Sequence, residues 1–391
     1  MTTILLLASI QAFFLASLLF SKRQKQLADK MLGVWLSLIG LHTLIYFVYA
    51  KFPIHNPTIM NLNAGFPFLQ GPFLYFYVET LTADRARVKR SFGLHLLPCL
   101  IFAMYQMLIQ NPFGVLPHGQ HVSIHLFDLP GIFGGILLAS VPAYIVWSWF
   151  LLRKYQVRIL EAFSAIEEIN LNWLRYLLTA LGLLWLTVIT VFIFMKFSGD
   201  PRVFGIPHLI FLGITLFVYA TGYFGFKQTN IFSNATVIEK QTGKENTPKE
   251  TSSPIINQTS EPESQTKYQR SGLKQNEAQE ILTQLHDYMN TEKPYLNDRL
   301  TLSQLATELD ISGNHLSQII NEQSQQSFFD FVNHYRIEAV KEKLQDTQYD
   351  AHSLLAIALD CGFGSKSSFN RIFKNTTGRT PTQYRNRLEK T

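Results

Sequence analysis

A short segment near the end of the chain places hydrogen-bonding and basic side chains on one face of a predicted helix. Ser365 is suited to begin this helix, because a serine at the N-cap accepts a hydrogen bond from a backbone N–H of the first turn. Phe369, Ile372 and Phe373 follow at helical spacing and form an apolar face. The other face then carries Lys366, Ser367, Asn370, Arg371 and Lys374. Such side chains bond to base edges and pair with phosphates, so the pattern is typical of a helix that enters a DNA groove.

The residues before this helix predict a partner helix and a tight turn. Ser353 is a suitable N-cap, and Ile357 and Ala358 supply part of an apolar face. Gly362 and Gly364 then allow a sharp turn. Helix, turn and helix together favour a helix-turn-helix. The alternative is an ordinary helical hairpin of a soluble domain, because this pattern alone is common.

A similar run lies upstream and strengthens the interpretation. Thr301 and Gln304 form a capping box at the start of one helix, and Ser312 starts the next. The pair Leu305-Ala306 corresponds to Ile357-Ala358, which indicates an internal repeat with one extra residue in the later copy. The outward face of the upstream copy is predicted to carry Asn314, His315, Ser317, Gln318 and Asn321. Asn and Gln side chains can pair with adenine edges, so this copy is expected to read bases.

A long helix from about 328 to 344 is predicted between the two copies, with Ser327 and Asp330 at its start. The net charge differs strongly between the residues before position 353 and those after it. Residues 353–391 contain 7 Lys and Arg against 2 Asp and Glu, whereas residues 273–352 contain 6 against 13. We therefore expect the second copy to make most phosphate contacts, through Arg371, Lys374 and Arg379.

The second run resembles the second helix-turn-helix of the AraC/XylS family of bacterial transcription regulators. The matching residues are Ile357-Ala358, Cys361-Gly362-Phe363, Phe369, Arg371, Phe373-Lys374, Gly378, Thr380-Pro381 and Tyr384-Arg385. Residues 335–339 resemble the central helix of that family. The resemblance covers about 273–388 and implies that two recognition helices enter successive major grooves of double-stranded DNA.

The first 230 residues are very different, with long apolar stretches and basic breaks. They predict seven membrane helices, at about 3–20, 31–50, 66–82, 92–110, 131–152, 173–195 and 204–226. Residues 177–194 contain no charged side chain, which argues against a large buried helical core as the alternative. The expected fold class is all-α: a seven-transmembrane-helix bundle plus a cytoplasmic domain of two helix-turn-helix units joined by a long helix.

The distribution of basic residues between the predicted membrane helices predicts an orientation. One set of connections carries eleven Lys and Arg: Lys22, Arg23, Lys25, Lys30, Arg85, Arg87, Lys89, Arg90, Arg153, Lys154 and Arg158. The other set carries three, Lys51, Lys196 and Arg202. Because basic loops remain in the cytoplasm, the N-terminus is expected outside and the C-terminal domain inside. This predicts a multi-pass protein of the bacterial inner membrane.

Composition supports three segments. Hydrophobic residues make up 47% of the chain and charged residues only 16%, and there are two cysteines, too few for a disulfide framework. Residues 231–272 are rich in polar residues with balanced charge, which predicts a disordered cytoplasmic linker. The expected domains are 1–230, 231–272 and 273–391.

No catalytic motif is present in the sequence: it contains no HExxH, no phosphate-binding loop and no nucleophile elbow. Glu79, His95 and His42 are ionisable residues within predicted membrane helices, which makes them candidates for a functional site. Three histidines, His118, His121 and His125, lie in one predicted outer loop, where a metal or pH-sensing role competes with that of a solvated loop. We assign no catalytic residue, no metal and no cofactor.

These observations favour a membrane-embedded transcription regulator that is not an enzyme. Its expected partners are double-stranded DNA and the lipid bilayer, with a homodimer and an unknown small-molecule or membrane stimulus left open. Two alternatives remain. In the first, the membrane helices are only a passive anchor for the DNA-binding domain. In the second, they form a membrane enzyme or transporter to which the DNA-binding domain is fused as a regulator.

Overall fold

A computed structural model describes residues 2–52, 59, 63, 65–83, 92–109, 129–167, 169–198, 213–224 and 275–388. Within these residues it contains 14 α-helices and no β-strand, which confirms the all-α prediction. The chain divides into two compact units. Unit 1 comprises Met1–Tyr155 and Leu171–Lys244, and unit 2 comprises Gln156–Asn170 and Glu245–Thr391. The predicted linker, 231–272, lies outside the described residues, and the predicted domain limits stay a prediction.

Seven helices lie among the described residues from 2 to 224. They are α1 (Thr2–Ser21), α2 (Leu27–Lys51), α3 (Pro67–Thr82), α4 (Phe92–Ile109), α5 (Leu129–Ala162), α6 (Asn172–Ser198) and α7 (Gly213–Phe224). The α1–α2 pair packs closely: a Cβ added to Gly33 would lie 2.8 Å from the Phe20 ring, and one added to Gly40 would lie 3.2 Å from the Phe13 ring. Small residues at these positions therefore let the two helices approach each other.

Four helices, not the predicted seven, are long and apolar enough to cross a membrane among the described residues: α1, α2, most of α5 and most of α6. The reason is length, because a span requires about 20 apolar residues at 1.5 Å per residue. Helix α3 has 16 residues with Pro72 inside it, and the described apolar parts of α4 and α7 are Phe92–Tyr105 and Gly213–Phe224. The count of seven, and the topology built on it, are therefore not supported.

Large apolar side chains on the outside of unit 1 are compatible with membrane insertion. Leu94 is 65% exposed and Leu183 is 61% exposed, and Ile10, Phe14 and Phe150 are exposed to a similar degree. A protein in water rarely exposes so many large apolar side chains, whereas a helix that faces lipid requires them.

The described residues 275–388 form seven further helices with short connections. They are α8 (Gln275–Thr291), α9 (Leu302–Glu308), α10 (Gly313–Ser324), α11 (Phe328–Gln345), α12 (Leu354–Asp360), α13 (Lys366–Thr377) and α14 (Pro381–Leu388). Two 3₁₀ turns, Pro294–Leu296 and Thr347–Tyr349, lie in the connections after α8 and α11. The predicted N-caps are confirmed: the side chains of Thr301, Ser312, Ser353 and Ser365 each accept a backbone hydrogen bond at the start of a helix.

Helix α11 joins two apolar clusters. The α9–α10 pair packs with α8 around the first, which contains Leu305, Leu316 and Ile320. The α12–α13 pair packs around the second, which contains Ile357, Phe369 and Phe373. Alternate faces of α11 enter the two clusters, through Phe328, Phe331 and Val332 on one side and Phe329, Ile337 and Val340 on the other. One continuous helix therefore fixes the two helix pairs relative to each other.

Unit 2 also contains the α5–α6 connection, residues 163–170. The domain limits predicted from the sequence assign this connection to the N-terminal domain instead. Phe163 forms an isolated antiparallel bridge with Thr301. Leu160 and Ile166 pack against the second apolar cluster. The connection is therefore part of the C-terminal core.

Candidate nucleic-acid interface

The predicted residues of the second helix pair lie on α13 or beside its ends. Ser365 caps the helix, with its Oγ accepting a 3.2 Å hydrogen bond from the backbone N–H of Ser368. Phe369 and Phe373 are buried on the inner side and hold the helix in place. Of the predicted set, Ser365 is half-buried, while Lys366, Ser367, Asn370, Arg371, Lys374 and Arg379 are exposed. The structure thus exposes six of the seven predicted residues, five of them on α13.

The first helix pair presents a more polar and less basic surface on α10. Ser312 caps this helix by accepting a 3.2 Å bond from the backbone N–H of His315. Asn314 is exposed, and His315, Ser317, Gln318 and Asn321 are half-buried. Two of the amides bond within the helix: Gln318 Nε2 donates to Glu322 Oε1 at 3.2 Å, and Asn321 Nδ2 donates to Ser317 Oγ at 3.3 Å.

The two helix pairs repeat the same turn geometry. In the first pair, the N–H of Ile311 donates to the carbonyl of Ala306 at 3.0 Å. In the second, the N–H of Phe363 donates to the carbonyl of Ala358 at 3.1 Å. The residues before the two donors both have a left-handed backbone, with φ of 53° at Asp310 and 86° at Gly362. The repeat inferred from the sequence is therefore also a structural repeat.

Glycine is required at the second turn because another backbone segment lies against it. A Cβ built on Gly362 would lie 2.2 Å from the carbonyl oxygen of Tyr295. Real Cβ atoms do not approach backbone oxygens so closely, and the positive φ also disfavours other residues. This contact holds the α12–α13 turn against the connection that follows α8.

Arg371 is exposed, but its guanidinium already has neighbours. Its Nη2 donates to Glu167 Oε1 at 3.1 Å, and its Cζ lies 6.0 Å from the centre of the Phe329 ring. Ser368 Oγ donates to the same Glu167 oxygen at 2.6 Å. Sequence reasoning missed Glu167, since no local pattern relates residues that are about 200 positions apart.

Arg336 on α11 is the second residue that sequence reasoning missed. It is 1% exposed, and its guanidinium donates to the carbonyls of Tyr295 at 2.8 Å and Asn297 at 2.7 Å. Burial lowers its pKa to about 10, and the neighbouring Asp298 and Glu167 oppose that change. The side chain is therefore charged at neutral pH and ties α11 to the connection between α8 and α9.

In unit 1, two of the three ionisable candidates line one cavity. Glu79 and His95 border a cavity of about 450 Å³ together with Tyr75, Trp147 and Lys154. His95 Nδ1 lies 2.6 Å from the Tyr144 hydroxyl. His42 is not part of this cavity, and its Nδ1 lies 2.9 Å from Asn63 Oδ1.

The metal hypothesis gains no support in the part of the chain that the structure describes. No group of three or more His, Cys, Asp or Glu side chains there could hold a metal ion. His118, His121 and His125 lie outside the described residues.

Comparison with known proteins identifies the C-terminal helices. Residues 305–387 match the family model described as a helix-turn-helix domain. An uncharacterized HTH-type transcriptional regulator of Staphylococcus aureus strain COL is 36% identical over 104 residues, which are 27% of this chain and 13% of that protein. The uncharacterized HTH-type transcriptional regulator YijO of Escherichia coli strain K12 is 32% identical over 97 residues, which are 24% of this chain and 33% of that protein. No solved structure matches the chain.

The matched stretch is thus a helix-turn-helix domain of the AraC/XylS type, shared with transcription regulators, and this supports DNA binding. The chain spans between 13% and 33% of the length of these relatives. The family match does not extend to the N-terminal helices.

Proposed function

We propose that this protein is a membrane-embedded transcription regulator that binds DNA sequence-specifically through two helix-turn-helix units. The observation that carries the proposal is the repeated turn geometry before α10 and α13, which supports the same role for these two helices. A recognition helix contacts base edges from the major groove, and two such helices on one rigid support can enter successive grooves.

The two helix pairs have different roles: the second contacts phosphates and the first reads bases. The exposed Lys366, Arg371, Lys374 and Arg379 on and after α13 supply positive charge for the DNA backbone. The amides of Asn314, Gln318 and Asn321 on α10 are suited to adenine edges. The hydrogen bond between Gln318 and Glu322 must open before Gln318 can pair with a base.

The membrane helices are proposed to sense a stimulus. The four long apolar helices and the exposed apolar side chains of unit 1 support a lipid environment. The cavity that Glu79 and His95 line supports a sensing role over a passive anchor, because an anchor requires no ionisable side chains around a cavity. DNA binding requires the C-terminal helices to lie in the bacterial cytoplasm, on the inner face of the membrane.

A selection from random DNA tests the proposal. The full chain, in detergent or a lipid nanodisc, is incubated with a pool of random duplexes, and bound DNA is sequenced over several rounds. We expect a bipartite motif with two elements about one helical turn apart. Enrichment of no motif at low salt would reject sequence-specific binding.

A further inference from the structure

The α5–α6 connection is built into the helix-turn-helix domain through its backbone. The N–H of Ser164 donates to the carbonyl of Leu300 at 3.2 Å, and Ser164 Oγ donates to the same oxygen at 2.7 Å. Phe163 forms its bridge with Thr301, the cap of α9. The connection is therefore paired through its backbone with the residues just before α9.

Side chains of helix α11 also form hydrogen bonds with Ser164. The carbonyl of Ser164 accepts hydrogen bonds from Asn333 Nδ2 at 3.1 Å and from Arg336 Nη1 at 3.0 Å. Arg336 Nη2 also donates to Ser164 Oγ at 3.0 Å. Ser164, Asn333 and Arg336 are each at most 3% exposed. Every polar group of Ser164 is thus satisfied in a buried site, which indicates a specific fit.

Glu167, three residues later, reaches the recognition helix of the second pair. Its carboxylate accepts hydrogen bonds from Ser368 Oγ and Arg371 Nη2. Ser368 lies in the first turn of α13, and Arg371 lies one turn further on. The N-terminal part of a recognition helix is the part that contacts DNA, and its backbone dipoles favour an anion. The carboxylate of Glu167 therefore puts a negative charge beside the N-terminal part of α13, and this charge repels a DNA phosphate.

The connection is also the direct covalent link between two candidate membrane helices, α5 and α6. Arg153, Lys154 and Arg158 precede it, and basic residues beside a membrane helix favour the cytoplasmic side, where the proposed function requires the DNA-binding helices to lie. A change in the arrangement of α5 and α6 would therefore displace residues 163–170, which join the two helices.

We propose that the α5–α6 connection is an intramolecular competitor of DNA. When docked, it holds Glu167 on Ser368 and Arg371 and lowers the affinity of α13 for DNA. When a stimulus moves α5 and α6, the connection leaves and α13 becomes free to bind. This inference rests on the proposed function, because it concerns the access of DNA to the helix-turn-helix domain.

The first test compares two isosteric substitutions in the full chain in detergent. Glu167→Gln removes the charge that faces Arg371. Glu161→Gln removes the same charge near the end of α5, and within the described residues Glu161 makes no hydrogen bond to α13. The probe is a fluorescent mixed-sequence duplex of roughly 40 base pairs, long enough for two successive major grooves, titrated at several salt concentrations.

We expect Glu167→Gln to bind the duplex about two- to fivefold more tightly than the wild type, the range for a partly exposed ion pair. The slope of log affinity against log salt should match that of the wild type, because DNA displaces Glu167 from Arg371 in the wild type and the same basic side chains reach phosphates in both complexes. Glu161→Gln should behave as the wild type. Equal affinities for the two variants would overturn the competitor model while leaving DNA binding intact. If no variant binds the duplex even at low salt, the proposed function fails and the competitor model fails with it.

A second test follows hydrogen exchange in the full wild-type chain with and without the same duplex. We expect DNA to increase exchange in peptides that cover 163–170 and to decrease it in α13, because each ligand of α13 displaces the other. Decreased exchange in α13 with unchanged exchange in 163–170 would mean that the connection and DNA bind together, and it would overturn the model.

Discussion

Arg336 donates two hydrogen bonds of 3.0 Å to Ser164, one to its carbonyl and one to its hydroxyl, although 172 residues separate them. The same guanidinium bonds to the carbonyls of Tyr295 and Asn297. One buried charged side chain therefore holds three segments together: α11, the α8–α9 connection and the α5–α6 connection. Arginine suits this place because its planar fork presents five donors.

Replacement of Arg336 by Met should destabilise the C-terminal helices by about 3 kcal/mol, because several buried carbonyls lose their donors. Arg336→Lys keeps the charge but lacks the fork, so it should recover only part of the loss. Hydrogen exchange of peptides within 275–388 in the full chain measures the effect. Arg299→Met, at an exposed position, is the control and should exchange as the wild type does. Wild-type exchange in Arg336→Met would contradict the proposed network.

Gly362→Ala should destabilise the second helix pair by about 2–4 kcal/mol, since the new methyl meets the Tyr295 carbonyl in addition to the strain of a positive φ. Gly378 provides a matched control. It also has a positive φ, of 74°, but a Cβ there meets nothing within 4 Å. Gly378→Ala should therefore cost only about 1 kcal/mol. Similar losses of stability in the two variants, measured by exchange in α12 and α13, would mean that the Tyr295 contact is unimportant.

Arg371→Ala should weaken binding to all duplexes by a similar factor and reduce the salt slope by about 0.9, as expected for a phosphate contact. Lys341→Ala removes the same charge from α11, where Lys341 pairs with Glu338 at 2.7 Å, and it should leave the slope unchanged. Filter binding of the full chain at several salt concentrations gives both quantities. A loss of affinity confined to one base of the motif would instead assign Arg371 to base reading.

The thiol of Cys361 should react slowly with iodoacetamide at pH 8 in the folded protein and rapidly in urea. It is fully buried, and burial raises its pKa from 9.0 to about 11 in spite of the nearby Lys343. Only about one molecule in a thousand then carries the thiolate at pH 8. Because the folded state holds this proton more tightly than the unfolded state, stability should fall as the pH rises from 9 towards 11. Rapid labelling without urea would contradict the burial of this residue.

Local features of the C-terminal helices could be predicted from the sequence because they depend on neighbouring residues. The caps at Ser312 and Ser365, and the inward positions of Leu316 and Phe369, follow from hydrogen bonding and helical spacing. The Glu167 contact could not be predicted, since it joins segments far apart in the chain. The membrane count failed for another reason: apolar composition marks α3 as a span, but its helix is only 16 residues long.

The most direct test of the central claim is a hydroxyl-radical footprint of the full chain on the DNA sequence that the selection yields. The proposed pair of helix-turn-helix units, joined by α11, predicts two protected patches on one face of the duplex, about one helical turn apart. Arg371→Ala should weaken the patch made by α13 more than the patch made by α10. A single protected patch would contradict the account, because it would mean that only one helix pair reaches the DNA.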